Sequence, residues 1–181
     1  MDFALYDRLL KECWPAQNIK EYRFFLEFLE SYFKNRGIAN PIIVELGVRG
    51  GCQKRYYEQI LGAKYIGIDI DDTYSVPDIL GNTHDPQTLV ALKDLLKGEP
   101  INVLFIDADH AYESVKKDFD IYEPLVKNII AFHDIRTVGF GVIELWPEII
   151  EREEPWVKSM FYQKNLVCPY QYGIGVIIKK P

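Results

Sequence analysis

The chain of 181 residues is 48% hydrophobic and 27% charged, the composition of one soluble globular domain and not of a disordered or fibrous chain. Its 27 acidic residues outnumber 21 basic ones, a net charge of −6 that speaks against a nucleic-acid surface. No apolar run approaches the roughly 18 residues of a membrane span.

In chain order, Phe3, Tyr6, Leu9, Leu10, Cys13 and Trp14 stand at helical spacing, and Pro15 closes that segment. Asn18 and Glu21 form a capping-box pair ahead of a second helix with the stripe Tyr22, Phe25, Leu26, Leu29, Tyr32 and Phe33. Phe24 and Phe28 widen its apolar face, which predicts cover on two sides, and Gly37 ends it. Ile42-Ile43-Val44 reads as a strand buried on both faces. A Gly-rich turn and a helix near 53–61 follow. Residues 65–68 are a second buried strand and 78–80 a weaker third. Asp85 as N-cap with Pro86 behind it starts a helix lined by Leu89, Leu92 and Leu96 and ended by Gly98. Residues 101–106 are the clearest strand. A helix with Tyr112, Val115, Phe119 and Tyr122 on one face comes next, then a fifth strand at 129–132. Residues 143–151 read as helical despite Pro147, and 157–162 and 172–178 as two last strands placed to pair antiparallel. This alternation predicts an α/β fold, a doubly wound and mostly parallel sheet with helices on both faces.

Three cysteines, Cys13, Cys52 and Cys168, are never closer than 39 positions, so neither a disulfide framework nor a zinc knuckle is expected. The N-terminus has no basic n-region or signal core, and a reducing, cytoplasmic setting is the expectation.

In such folds ligands gather where the strands end. After the first strand stands Glu45-Leu46-Gly47-Val48-Arg49-Gly50-Gly51. Arg49 breaks the G-x-G-x-x-G fingerprint, no G-K-[ST] is present, and Glu45 would repel a pyrophosphate. The plain alternative is a tight strand-to-helix turn. After the second strand, Asp69 stands 22 positions past Gly47 and can accept both hydroxyls of a ribose, while Asp71 and Asp72 read as solvated. After the third, Asn82 and Thr83 can bond a purine edge, while Gly81 and Asp85 are already explained by a turn and a helix cap. The sharpest features are Asp107-Ala108-Asp109-His110 after the fourth strand and His133-Asp134 after the fifth. Asp107 and Asp134 suit Mg²⁺, and adding His133 admits a softer divalent ion. His110 can take a proton from a hydroxyl beside the metal. Against this, Asp109 has a use as a helix cap and His133 as a satisfied buried histidine.

E-L-G-V-R-G-G, G-I-D-I-D, L-F-I-D-A-D-H-A-Y-E and A-F-H-D-I, in this order, resemble class I S-adenosylmethionine-dependent methyltransferases. The likeness is nearest to the small-molecule O-methyltransferase branch that includes the macrocin-type and cephalosporin hydroxylase-like groups. It covers about residues 40–180, including Tyr172-Gly173-Ile174-Gly175-Val176. The resemblance implies a Rossmann-like sheet of seven strands, one of them antiparallel near the C-terminus. It implies that the turn from Glu45 through Gly47 to Gly51 holds the methionine end of the cofactor, with Asp69 on its ribose and Asn82 beside its adenine. Asp107 is then shared between cofactor and metal, Asp107, His133 and Asp134 are the metal ligands, and His110 is the catalytic base. His133 stands where some relatives carry an acid, which bears on the metal preferred. The cofactors implied are S-adenosyl-L-methionine and Mg²⁺ or another divalent cation. The substrate implied is a small hydroxylated molecule such as a sugar or glycoside. No nucleic-acid or membrane partner is expected.

Two other readings are an NAD-dependent oxidoreductase, opposed by Arg49, and a non-catalytic descendant that binds a ligand or partner. Residues 1–36 form an N-terminal helical extension ahead of a catalytic domain at 37–181. The extension's aromatic face reads as cover for the sheet, with a homodimer surface or an active-site cover as alternative uses. Trp14, Trp146 and Trp156 read as core with pocket walls as the alternative, and Arg49 and Arg136 lie beside the expected site.

Overall fold

The structure, a computed structural model, describes residues 1–151, the backbone of 156–161, and 173–179. Asp2 caps α1 (Phe3–Glu12), its Oδ1 accepting the Leu5 N–H at 3.0 Å. Asn18 caps α2 (Ile19–Arg36), and Gly37 ends it in the left-handed region. The chain then runs β1 (Ile42–Leu46), α3 (Cys52–Leu61), β2 (Lys64–Asp69), β3 (Ile79–Leu80), α4 (Pro86–Leu96), β4 (Ile101–Ile106) and α5 (Tyr112–Tyr122). A 3-10 turn leads to β5 (Val126–Phe132), followed by α6 (Val142–Glu151), β6 (Trp156–Phe161) and β7 (Ile174–Lys179).

Seven strands among the described residues form one sheet in the order β3-β2-β1-β4-β5-β7-β6. β7 is antiparallel to both its neighbours, β5 and β6, and the other pairs are parallel, as expected. The chain builds outward from β1 to β3, then crosses back to lay β4 on the other side of β1. A crevice opens at such a reversal, because the connections leave the two strand ends in opposite directions.

Alternation along the strands splits the core into two layers. Val44, Leu46, Leu104, Ile106, Ile130 and Phe132 face α4, α5 and α6. Ile43, Tyr65, Val103, Phe105, Ile129 and Ala131 face an aromatic layer built by Tyr6, Tyr22, Phe25, Tyr56 and Tyr57 of α1, α2 and α3. Each such fully buried large side chain contributes about 1.5–3 kcal/mol. The first 36 residues are therefore half of the sheet's cover and share its core. Phe24 remains 47% exposed, so α2 is covered on one side only. Glu21, paired with Asn18 by the sequence pattern, sends Oε2 to the Gly173 N–H at 3.1 Å and ties α2 to the start of β7. Lys97, not Gly98, is the left-handed C-cap of α4. Trp146 is core, packed on Phe132, while Trp14 is exposed. Tyr162, Cys168, Tyr172 and the Trp156 side chain lie outside the described residues. No described helix is long and apolar enough to cross a membrane.

The cysteine expectation is corrected. Cys13 and Cys52, 39 positions apart, form a disulfide with their Cα atoms 5.6 Å apart. They meet because the Tyr6 ring packs edge-on against Tyr56 at 5.7 Å, which lays the end of α1 on the start of α3. The argument from unpaired cysteines to a reducing compartment loses its premise. Closing a loop of this length stabilises by about 2–4 kcal/mol through the unfolded state. Replacing both cysteines by serine should lower stability by that amount in chemical denaturation, and a reductant should do the same to the parent chain. An unchanged denaturation midpoint would show that the bond does not form.

Candidate active site

The carboxyl ends of β1 to β5 open into a cleft of about 790 Å³. Its wall carries Asp69, Asp71, Asp107, Asp109 and Asp134 against one cationic side chain that is always charged, Arg49. A cleft so acidic favours a cationic ligand over a phosphate.

The wall is closed by backbone. Asp107 N–H donates to Leu46 O at 2.9 Å, and Gly47 N–H to Ile68 O at 2.9 Å, so the ladders of β1, β2 and β4 continue past the strand ends. Gly47 has φ +85°, and a Cβ on it would lie 2.2 Å from the Asp107 carbonyl oxygen. Only glycine allows both. Asp69 Oδ2 accepts Val48 N–H at 2.7 Å and Arg49 N–H at 2.8 Å, and Oδ1 accepts Asp71 N–H at 3.0 Å. A carboxylate has about four acceptor positions, so one is left for a ligand. Gly51, in the left-handed region, starts α3 and packs against Ser75, away from the cleft wall.

Glu45 is not brought to the cleft. It shares the β1 face of Ile43, so its side chain enters the aromatic layer and is fully buried. Tyr65 OH donates to its Oε2. Gly67, its parallel partner on β2, leaves room for that hydroxyl, since a Cβ there would lie 2.8 Å from it. Burial pushes the Glu45 carboxyl well above the usual carboxylate range, and the Tyr65 bond offsets this only in part.

At the adenine-facing end predicted from sequence, Asn82 lines the cleft and caps its own turn, Oδ1 accepting His84 N–H at 2.8 Å. A contact the sequence does not announce lies behind it. His84 Nε2 stands 3.2 Å from Oδ1 of the buried Asp118, whose carboxyl burial pushes up.

The ends of β4 and β5 bring the remaining residues together. Asp107 Oδ1 lies 3.0 Å from His133 Nδ1 and 3.4 Å from His110 Nε2. Asp134 Oδ2 lies 3.1 Å from His110 Nε2 and 3.2 Å from His133 Nδ1. Thr137 Oγ1 donates to Asp134 Oδ1 at 2.7 Å. The Phe140 ring stacks on His110 at 4.3 Å and fixes its plane. Bonds from Asp107 and then Asp134 push the His110 pKa up to about 9 against the effect of burial. Burial would lower His133, but the Asp107 charge and bonds to both carboxylates lift it to about 10. Burial would raise both aspartates, and the two histidines outweigh it, holding Asp107 and Asp134 below the usual range. The group that can offer one donor atom each within 4.8 Å is Asp107, His110 and Asp134. His133, expected as a ligand, lines the cleft just past β5 but is largely buried, its Nδ1 turned to both carboxylates and its ring beside Phe105. Asp109 accepts Ala111 N–H at 3.1 Å, the turn role.

Gln17, between α1 and α2, is the residue sequence reasoning missed. Its Nε2 donates to Asp107 Oδ2 at 2.7 Å. Its Oε1 is buried with no hydrogen-bond partner, an arrangement that costs about 1–3 kcal/mol. No periodicity or motif marks it.

Against known proteins, residues 44–135 match a family described as a methyltransferase domain. An uncharacterised protein of Sinorhizobium fredii is 28% identical over 95 residues, which is 50% of this chain and 9% of that protein's length. An O-methyltransferase from Bacillus cereus in complex with SAH superposes with TM-score 0.61 at 16% identity, covering 97% of this chain and 91% of that one. TomG from Streptomyces achromogenes, an O-methyltransferase involved in tomaymycin synthesis and in complex with SAM, gives 0.64 at 13% identity over 100% and 91%. MycE, a methyltransferase of the mycinamycin pathway in complex with Mg and SAH, gives 0.64 at 15% over 98% and 54%. At these identities the likeness is one of fold.

The buried Glu45 supplies a test of the site's electrostatics. Between the usual carboxylate pKa and its raised folded value, the folded protein keeps a proton that the unfolded chain releases. Stability therefore falls as pH rises through that window. Glu45→Gln removes the slope, so its melting temperature relative to the parent's should climb as pH rises above the usual carboxylate range. A pH-independent gap in thermal unfolding would place Glu45 in contact with water.

Proposed function

The chain belongs to the methyltransferase-domain family, and from that membership we propose that it is an S-adenosylmethionine-dependent O-methyltransferase acting on a small hydroxylated molecule. The observation that carries the reading is the convergence on one cleft of the Gly47–Asp69 corner and the Asp107–His110–Asp134 cluster. The cofactor supplies a methyl group on a sulfonium, a cation without phosphate, and five aspartates around the cleft suit that charge. Asp69, its carboxylate already fixed by three amides, offers its remaining acceptor position to ribose hydroxyls. Asn82 borders the adenine, and Gly47 with the Val48 turn faces the methionine end.

Transfer forms an O–CH₃ bond as the S–CH₃ bond breaks in line, and the hydroxyl proton must leave. Asp107 and Asp134 raise the His110 pKa to about 9, so it would act as a base once those carboxylates are engaged by a cation; Nε2, its ring held flat by Phe140, would then take that proton. Asp107 and Asp134 provide oxygen donors that fit a divalent cation, with His110 Nε2 beside them. Such an ion, when bound, lowers the pKa of a coordinated hydroxyl. MycE was solved with Mg. By this reading Asp107 and Asp134 hold the ion, His133 anchors both carboxylates from below, and His110 exchanges protons beside them. A sugar or glycoside with vicinal hydroxyls fits this arrangement, since two oxygens could share one ion.

The dinucleotide reading is disfavoured by one contact. Val48 and Arg49 N–H, two of the amides a pyrophosphate would need, are already bonded to the Asp69 carboxylate.

Calorimetry should detect S-adenosylmethionine binding, and Asp69→Ala should weaken it by roughly 10-fold or more, the loss of a charge-assisted bond. No binding by the parent chain would refute the assignment. His110→Ala should abolish turnover while Mn²⁺ binding stays within a few-fold, whereas Asp134→Asn should lose Mn²⁺ by roughly 10–100-fold. Loss of Mn²⁺ in His110→Ala would make His110 a ligand and not the base.

A further inference from the structure

We propose that Gln17, from the segment joining α1 and α2, is a positioning residue that sets the Asp107 carboxylate for cation binding. The inference rests on the reading of the Asp107–His110–Asp134 group given above.

Gln17 Nε2 meets Asp107 Oδ2 at 2.7 Å, a short charge-assisted bond. That bond fixes which way the amide faces, since the reversed amide would set an oxygen against the carboxylate. It also divides the work of Asp107. Oδ2 is turned to Gln17, and Oδ1 is left facing His133 at 3.0 Å and His110 at 3.4 Å. With neither oxygen free to rotate, the donor atom offered to a cation keeps one place.

Stability does not account for a glutamine here. The side chain is 4% exposed, and Oε1 is buried without a partner. A methionine would fill the same space without an orphaned oxygen of its own, and would leave Asp107 Oδ2 without its Gln17 donor. A polar group retained at a net cost, in bonding distance of a site residue, points to a role at that site.

The segment that carries it is held from several sides. The Cys13–Cys52 disulfide and the bond from Tyr56 OH to Cys13 O at 2.9 Å fix its start. Asn18 caps α2, and Tyr6 OH donates to Ile19 O at 2.8 Å at its end. Between them Ala16 adopts φ +56°, a left-handed conformation that a residue with a Cβ rarely takes, and Ala16 itself lines the cleft. The family match begins at residue 44, so this wall of the site lies outside the matched segment.

The test uses the full chain and Mn²⁺ alone, with affinity read by calorimetry or by electron paramagnetic resonance and the melting temperature read in chelator. Gln17→Met trades the orphaned Oε1 for an Asp107 Oδ2 without its donor, so it should leave the melting temperature near the parent's yet weaken Mn²⁺ by roughly 10–100-fold. Gln17→Leu, read the same way, replaces it if the methionine variant fails to fold. Asp107→Asn should lose Mn²⁺ altogether. A glutamine that only packs would give the opposite pattern, a lower melting temperature and unchanged Mn²⁺ affinity, and that result overturns the proposal. If the parent chain and Asp107→Asn both fail to bind Mn²⁺, the cation reading of the cluster is wrong and the positioning role falls with it. If the parent binds, Asp107→Asn does not, and Gln17→Met matches the parent, only the role of Gln17 is refuted.

Discussion

The contact between Gly47 and the Asp107 carbonyl decides where the site is. With no Cβ at 47, the ends of β1 and β4 close to hydrogen-bonding distance, and Asp107 N–H reaches Leu46 O at 2.9 Å. That closure sets the glycine corner beside the acidic cluster. Any side chain at 47 would force the two strand ends apart, because the obstacle is backbone and cannot rotate away. The Asp107 carboxylate, withdrawn from bulk water by the same closure, then needs donors. It finds them on three different parts of the chain: Gln17, His110 and His133.

Three acids close three neighbouring strands, and each meets a different fate. Glu45 turns into the aromatic layer, where burial pushes its carboxyl well above the usual carboxylate range. Asp69 spends most of its acceptor capacity on the loop amides around it and keeps one face for the cleft. Asp107 joins two histidines and Asp134 in a compact charged group. All three carry a carboxyl group. The difference lies in which side of the sheet each Cα–Cβ bond points to and in what covers that side.

Much of the architecture was legible. Apolar runs at 42–44, 65–68, 101–106 and 129–132 marked the parallel strands, and Asp85-Pro86 and Gly37 marked helix ends by local chemistry. The rule that ligands gather at strand ends then led to Asp69, Asp107, His110 and Asp134, which the fold does bring to one cleft. Glu45 was misplaced for a physical reason. A strand buried on both faces shows no alternation of polarity, so nothing in Ile42–Leu46 says which face a side chain takes. The cation-competent group holds His110 where the sequence pointed to His133, because the buried His133 turns its Nδ1 to both carboxylates.

Local and periodic information was thus enough for the order of elements, the parallel sheet and the set of acids and histidines at its rim, because propensities, caps and hydrophobic period act over a few residues. The pairing of Cys13 with Cys52, the reach of Gln17 to Asp107 and the burial of Glu45 came only with the assembled chain. Each depends on how α1 and α2 lie on the sheet, with the first two contacts joining residues 39 and 90 positions apart, and no short stretch of residues carries a signal for that packing.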